Sequence, residues 1–255
     1  MKRIAQEVPH FIILGAQKCG TTSLYDYLVA HPHVAPACEK EIHFFDKNFR
    51  KGASWYQAQF PGLHVEDLVS GEASPYYIFH PHAPRRVLEL VPRAKLIVLL
   101  RNPIDRAYSH YQHEVRLGFE TLSFEDAIAQ EEQRLSGEVE IMLQDENYFS
   151  FNHQHYSYLA RGVYVDQLQT WLNLFPREQI LIIKSEDLYN NPRAVWEQLR
   201  GFMSLPEFEQ EEYANYNEGG YTQMELSIRE RLADYFEPYN ARLYEYLGIN
   251  FGWDS

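Results

Sequence analysis

FIILGAQKCGTTSLYDYLVAHP, residues 11–32, is the stretch on which the fold turns. FIILG is a short continuous apolar run ending in Gly15, the pattern of a strand buried on both faces of a parallel sheet. Residues 21–30 place Leu24, Tyr27 and Leu28 on one helical face, and His31-Pro32 stops that helix. Between strand and helix, Gly15 and Gly20 have the spacing of a phosphate loop, G-x-x-x-x-G-K-[ST]. Thr21, however, stands where such a loop carries its lysine, and the lysine is Lys18, inside the loop. Amides around Gly20 to Ser23, at a helix N-terminus, are built to cradle an anion, and the hydroxyls of Thr21, Thr22 and Ser23 add donors. Lys18 then reaches a different part of the bound group from the lysine of a nucleotide kinase.

Outward from this stretch, strands and helices alternate. Residues 34–60 read as loop, rich in charge and aromatics; LVSGEASPYY reads as a strand entering a turn at Ser74-Pro75. PRRVLELVP reads as a short helix, and AKLIVLL (94–100) as a buried strand. In RNPIDRAYSHYQHEVRLG, Asn102 caps a helix, Pro103 takes its first position and Gly118 closes it. Ser123 with Asp126 caps a helix running to about 135. Residues 136–155 read as polar and irregular, VYVDQLQTWLNLF as an amphipathic helix, QILIIKSEDL as a buried strand and PRAVWEQLRGFM as a helix. Residues 224–247 read as two helices around Pro238. The expectation is an α/β fold, a central parallel sheet flanked by helices, in one domain over residues 1–255 with 136–158 as a lid or insert.

Composition narrows the function. Apolar residues make up 45% of 255, enough for a sizeable core, and a formal net charge of -13 argues against nucleic acid as a partner. Two cysteines, Cys19 and Cys38, imply no disulfide framework and a reducing compartment. The longest apolar run, KLIVLLR, is too short to span a membrane, so a cytoplasmic protein with no membrane span is expected. The strand LIVLL ends in Arg101 where a P-loop kinase places the Asp that helps to hold Mg²⁺. An arginine there binds a second phosphate rather than a metal, so no metal is expected. The pairs His31/His33, His80/His82 and His153/His155 have metal-ligand spacing, but no cysteine or acid cluster completes a set. Cys19 reads as a small filler in a tight loop.

Taken together these segments resemble the sulfotransferases that use 3′-phosphoadenosine 5′-phosphosulfate (PAPS), in particular the Golgi carbohydrate and heparan-sulfate-type branch and its bacterial relatives. GAQKCGTTSL resembles their 5′-phosphosulfate loop. VLLRNPIDRAYSHYQH resembles their 3′-phosphate motif, an Arg after a strand and a Ser eight residues on. EKEIHFFD is similar to the segment carrying their catalytic glutamate. The likeness runs over roughly residues 9–248, including RGVYVDQLQTWLNLFPREQILIIKSEDL. It implies the P-loop-like sulfotransferase fold. It also implies that Lys18, Gly20, Thr21, Thr22 and Ser23 contact the 5′-phosphosulfate, that Arg101 and Ser109 hold the 3′-phosphate, and that Glu41 is the base. His43 lies two residues on, so in an extended segment it points the same way as Glu41 and is a second candidate base or an acceptor-orienting group. Asp46 reads as a turn cap as readily as a member of that site.

Two departures from the heparan-type pattern bear on the acceptor. Those chains carry a Lys before the Ser/Thr-Pro, where Ala73 stands here; and their late basic loop corresponds to NEGGYTQ, which has no Lys or Arg. With the acidic net charge, this favours a neutral sugar, a lipid hydroxyl or a hydroxyacyl chain on a carrier protein over a polyanionic glycosaminoglycan. Aromatic residues in 44–60 and 147–158 are expected to line the acceptor cleft. The alternative from the residues alone is a P-loop phosphotransferase acting on a small substrate, which requires Mg-ATP. A third class, a nucleotide-binding module without turnover, binds adenosine 3′,5′-bisphosphate and stops there.

Overall fold

The computed structural model describes residues 9–60, 68–208 and 224–253. The elements run β1 (Phe11–Gly15), α1 (Thr21–Val29), β2 (Val34–Pro36), α2 (Ala53–Gln57), β3 (Val69–Ala73), α3 (Ala83–Leu90), β4 (Lys95–Leu100) and α4 (Pro103–Leu117). They continue with α5 (Phe124–Ala129), α6 (Glu131–Leu135), α7 (Glu138–Gln144), α8 (Phe151–His155), α9 (Tyr164–Leu172), β5 (Ile180–Lys184), α10 (Ser185–Asn190), α11 (Pro192–Met203) and α12 (Leu226–Leu247).

The five strands form one sheet in the order β2-β3-β1-β4-β5, every pairing parallel. Phe11 to Leu14 of β1 and Leu96 to Leu100 of β4 are fully buried, as expected of strands covered on both faces. Chain segments leaving β1 and β4 diverge to opposite sides of the sheet, which opens a crevice beyond the carboxyl ends of these neighbours, the usual ligand position in open α/β sheets.

Local signals set most boundaries. Asn102 accepts from the Ile104 amide at 3.0 Å at the start of α4, and Gly118 ends that helix in the left-handed region. Ser123 accepts from the Asp126 amide, as its spacing implies. Three sequence expectations are corrected. Residues 136–155 are not irregular but hold α7 and α8, with Ser150 capping α8 and Glu138 accepting from Ser150, Tyr148 and Asn152. Residues 34–60 contain β2, α2 and, over 44–51, a wide helical turn followed by a tight one. Residues 226–247 form one continuous helix through Pro238. Pro238 and Asp234 both face solvent, which leaves the carbonyl that the proline cannot bond open to water, while Leu232, Phe236 and Leu243 bury the opposite face. Residues 217–223, NEGGYTQ, lie outside the described residues.

Glu131 ties α6 to the turn before α9, its carboxylate accepting from the amides of Leu159 (2.7 Å) and Ala160 (2.8 Å). Burial outweighs these bonds and lifts the carboxyl from 4.5 to about 7. The folded state therefore holds this proton more tightly than the unfolded chain does. The associated stability is full below about pH 4.5 and is lost as pH rises through about 7, at most roughly 3 kcal/mol at about 1.4 kcal/mol per unit. Melting temperature should fall between pH 5 and 8, and Glu131→Gln should flatten part of that slope; an unchanged slope would refute the assignment.

Candidate active site

The loop after β1 is fixed from several elements. The Ala16 amide donates to Leu99 O of β4 (2.8 Å), and Ser185 at the end of β5 donates to Cys19 O (2.8 Å). Arg101 donates to Lys18 O (3.3 Å), and buried Arg161 holds the Gln17 side chain. Gly20 sits at φ 90°, a left-handed conformation that favours glycine. Lys18 takes the left-handed conformation (φ 70°), uncommon for a side-chain-bearing residue and a mark of a loop whose shape is imposed by its surroundings. Gly20 brings no side chain to the start of α1, and among the described residues no side chain caps that helix, which leaves its first amides open to an anion.

These amides border a cavity of ≈ 350 Å³ lined by Gln17, Lys18, Gly20, Thr21, Thr22, Glu41, Pro75, His113 and Arg116. Of the expected site residues, it gathers Lys18, Gly20, Thr21, Thr22 and Glu41. Ser23 is fully buried and Ser109 nearly so, on the first turn of α1 and on α4, and neither lines the cavity; Arg101 meets it through the Lys18 carbonyl. His113 and Arg116 escaped sequence reasoning, although they follow Ser109 at four and seven residues on α4 and so share its face. Burial, then Arg116 and Arg101, lowers the Lys18 ammonium, so like charges are gathered at this loop.

Glu41 and His43 are placed by a residue the sequence reading passed over. Glu72 of β3 is fully buried, and its carboxylate accepts from the hydroxyls of Tyr56 (2.6 Å), Tyr77 (3.0 Å) and Ser74 (2.6 Å). Ser74 in turn accepts from the His43 amide (3.1 Å), and the Tyr77 hydroxyl from the amides of Phe44 (2.6 Å) and Phe45 (3.3 Å). Burial raises Glu72 to about 7, against the three hydroxyl bonds. His43 is at φ 51°, not extended, and its ring still meets Glu41: Nε2 lies 3.3 Å from Glu41 Oε2, and Nδ1 2.7 Å from Asp46 Oδ2. Lys40 Nζ lies 2.6 Å from Glu41 Oε1.

Burial alone would raise Glu41, but the bonds from His43 and Lys40 outweigh it and bring the carboxyl down to about 2. Burial likewise works against a charged His43, yet the bonds to Asp46 and Glu41 raise it to about 9. At neutral pH the pair is carboxylate and imidazolium. Asp46 also lines a second cavity of ≈ 740 Å³, together with Lys47, Phe49, Arg50, Tyr76, Arg86, Asn147, Tyr148, Phe149 and Ser150. The three H-x-H pairs are engaged with protein partners: His31 Nδ1 accepts from the His33 amide, His82 Nε2 lies 2.7 Å from Met142 O and His153 Nδ1 2.6 Å from the Tyr76 hydroxyl.

A five-stranded parallel sheet with an anion loop at its crevice, and arginine rather than aspartate after β4, defines an α/β group-transfer enzyme of the sulfotransferase type. A family model described as a sulfotransferase domain matches residues 8–218, and the chain belongs to that family. The crystal structure of a sulfotransferase from Alicyclobacillus acidocaldarius is similar at TM-score 0.78 and 32% identity, covering 97% of this chain and 99% of that one. The membrane-associated sulfotransferase kil1 of Dictyostelium discoideum is 29% identical over 317 residues, 97% of this chain and 67% of that protein. The bifunctional heparan sulfate N-deacetylase/N-sulfotransferase 1 of Caenorhabditis elegans is 30% identical over 272 residues. There the chain spans 96% of its own length but only 30% of the relative's. This membership replaces the phosphotransferase alternative. Among the described residues no helix is long and apolar enough to cross a membrane.

Tyr77→Phe keeps the ring and removes the oxygen that accepts from Phe44 and Phe45. Leaving these buried amides without a partner should cost about 1–3 kcal/mol in urea unfolding; an unaltered midpoint would show that the turn does not depend on Glu72 and Tyr77.

Proposed function

We propose that the chain transfers the sulfuryl group of PAPS to an acceptor hydroxyl by in-line displacement, with Glu41 as general base. The observation that carries this reading is that Glu41 lines the loop cavity with Lys18 and Thr22, while His43 and Asp46 connect it to the larger cavity. The α1 amides, Thr21 and Thr22 receive the 5′-phosphosulfate, Lys18 the charge on the departing bridging oxygen and Arg101 the 3′-phosphate, while Ser23 and Ser109, buried off the cavity, back these groups from behind. The acceptor O–H proton passes to Glu41 as the new O–S bond forms. The bridging S–O bond breaks with its electron pair going to the 5′-phosphate, leaving adenosine 3′,5′-bisphosphate. Such a reaction asks the protein to position groups and stabilise shifting charge, and the described residues supply both. His43, already an imidazolium, orients Glu41 and the acceptor rather than taking the proton.

The larger cavity is the acceptor site in this reading. Part of its wall comes from 46–50 and 147–150, within the aromatic stretches 44–60 and 147–158 singled out in the sequence, and α7 with the loop that follows it acts as its cover within a single domain. Aromatic faces beside mixed charges, the three cations Lys47, Arg50 and Arg86 largely offset by Asp46 and Glu146, suit a neutral hydroxylated ring such as a sugar better than a polyanion. Cys19 and Cys38 are both free thiols, which fits a cytoplasmic location.

Calorimetric titration with adenosine 3′,5′-bisphosphate should show tight binding that does not need Mg²⁺, exceeds that of ATP and is lost in Arg101→Ala; preference for Mg-ATP would overturn the reading. Glu41→Gln should lower PAPS turnover about 10²–10⁴-fold with bisphosphate affinity intact. Because the His43 proton is held to about pH 9, turnover should decline above that pH, and His43→Gln should remove this limb. Neutral oligosaccharides, not heparan sulfate, should accelerate release of the bisphosphate from PAPS.

A further inference from the structure

Lys40 lies within EKEIHFFD but has no role assigned to it above, and it joins that segment to the phosphate loop. Its carbonyl accepts from the Ala73 amide at 3.0 Å, which sets position 40 beside the carboxyl end of β3. Its ammonium lies 3.0 Å from Thr22 Oγ1, on the first turn of α1, and 2.6 Å from Glu41 Oε1. The side chain is one-quarter exposed, so this charge is partly withdrawn from water and its hold on the carboxylate is stronger than that of a surface pair. Position 73, at the end of β3, carries only a methyl group. The cation at this corner of the sheet therefore comes from the segment that precedes Glu41.

We propose that Lys40 is a positioning residue for Glu41, clamping the carboxylate to the first turn of α1 so that it faces the loop cavity as an ionised acceptor. Its catalytic meaning rests on the sulfuryl-transfer reading, whereas the contact itself does not. Glu41 is faced by His43 from its own segment and by Lys18, His113 and Arg116, which line the same cavity from the loop and α4. Asp26 of α1 faces Lys40. Of these groups, only Lys40 and His43 touch the Glu41 carboxylate at bonding distance among the described contacts. Removing Lys40 leaves His43 to hold Glu41 from the Asp46 side alone, free to turn away from Thr22. An arginine at 40 keeps a cation of sufficient reach and should restore the clamp.

The test has two arms. Carboxyl-carbon NMR of protein labelled at the glutamate side chain, with Glu41→Gln assigning the signal, reads the Glu41 midpoint in wild type, Lys40→Met and Lys40→Arg. The midpoint should rise by about one pH unit or more in Lys40→Met and return toward wild type in Lys40→Arg. In the second arm, Lys40→Met should lower PAPS turnover about tenfold or more while the calorimetric affinity for adenosine 3′,5′-bisphosphate stays within about threefold, and Lys40→Arg should recover most of the rate. An unmoved Glu41 midpoint in folded Lys40→Met overturns the proposal. So does an affinity loss that accounts for the whole rate loss, since Lys40 would then bind the nucleotide. Wild type that binds no bisphosphate would overturn the sulfuryl-transfer reading instead, and the NMR arm would still decide the clamp.

Discussion

A single buried carboxyl, Glu72, organises the working end of this molecule. It lies in the middle of a strand with no exposed surface, where an acid is costly unless its oxygens are satisfied. Three hydroxyls satisfy it, and two of those, on Ser74 and Tyr77, go on to hold the backbone of residues 43–45. The turn that carries His43 is thus suspended from the sheet by side chains. The same short strand that gives the core its register with β1, Phe11 against Gly71 and Ile12 against Glu72, also sets where the proposed base stands relative to the phosphate loop.

The other half of the site follows from strand order. Because β1 and β4 are neighbours whose continuations part, Lys18 and Arg101 emerge side by side at the crevice, close enough for the Arg101 guanidinium to bond the Lys18 carbonyl. Neither residue needs a long arm to reach a shared ligand. The α4 helix, started by Asn102 and Pro103 directly after Arg101, then carries His113 and Arg116 along the same cavity. One strand end and the helix that follows it supply three of the groups around this crevice.

What could be read from the sequence was what is local. The loop, the caps at Asn102 and Ser123, the stop at Gly118 and the buried strands all rest on interactions within a few residues, and each stands where its pattern put it. The resemblance carried by three short motifs brought Lys18, Thr22 and Glu41 together before any coordinates. What could not be read depends on partners far along the chain. Glu72 looks like an ordinary acid in GEASPYY until Tyr56 and Tyr77 are folded over it. Residues 136–155 look irregular because α7 and α8 are short and polar, and they persist by bonds around Glu138 rather than by propensity. Pro238 reads as a helix break because its tolerance comes from solvent on one face and packing on the other. His43 met Glu41 as expected, but through a left-handed residue and a turn, not along a strand.

The cations around the loop sit within a chain whose formal net charge is -13. A highly anionic nucleotide approaching from solution meets repulsion first and attraction only within about a Debye length of the crevice, roughly 10 Å at 0.1 M salt. Capture is therefore a short-range event with an electrostatic barrier in front of it. Added salt should quicken arrival by screening the outer field before it weakens the hold inside, the reverse of what a basic nucleotide-binding protein shows. On the proposed reading, the net acidity of the chain acts as a filter on what reaches the pocket: polyanions long enough to feel both regions at once are turned away, while a compact donor that fits wholly within the cationic crevice is kept.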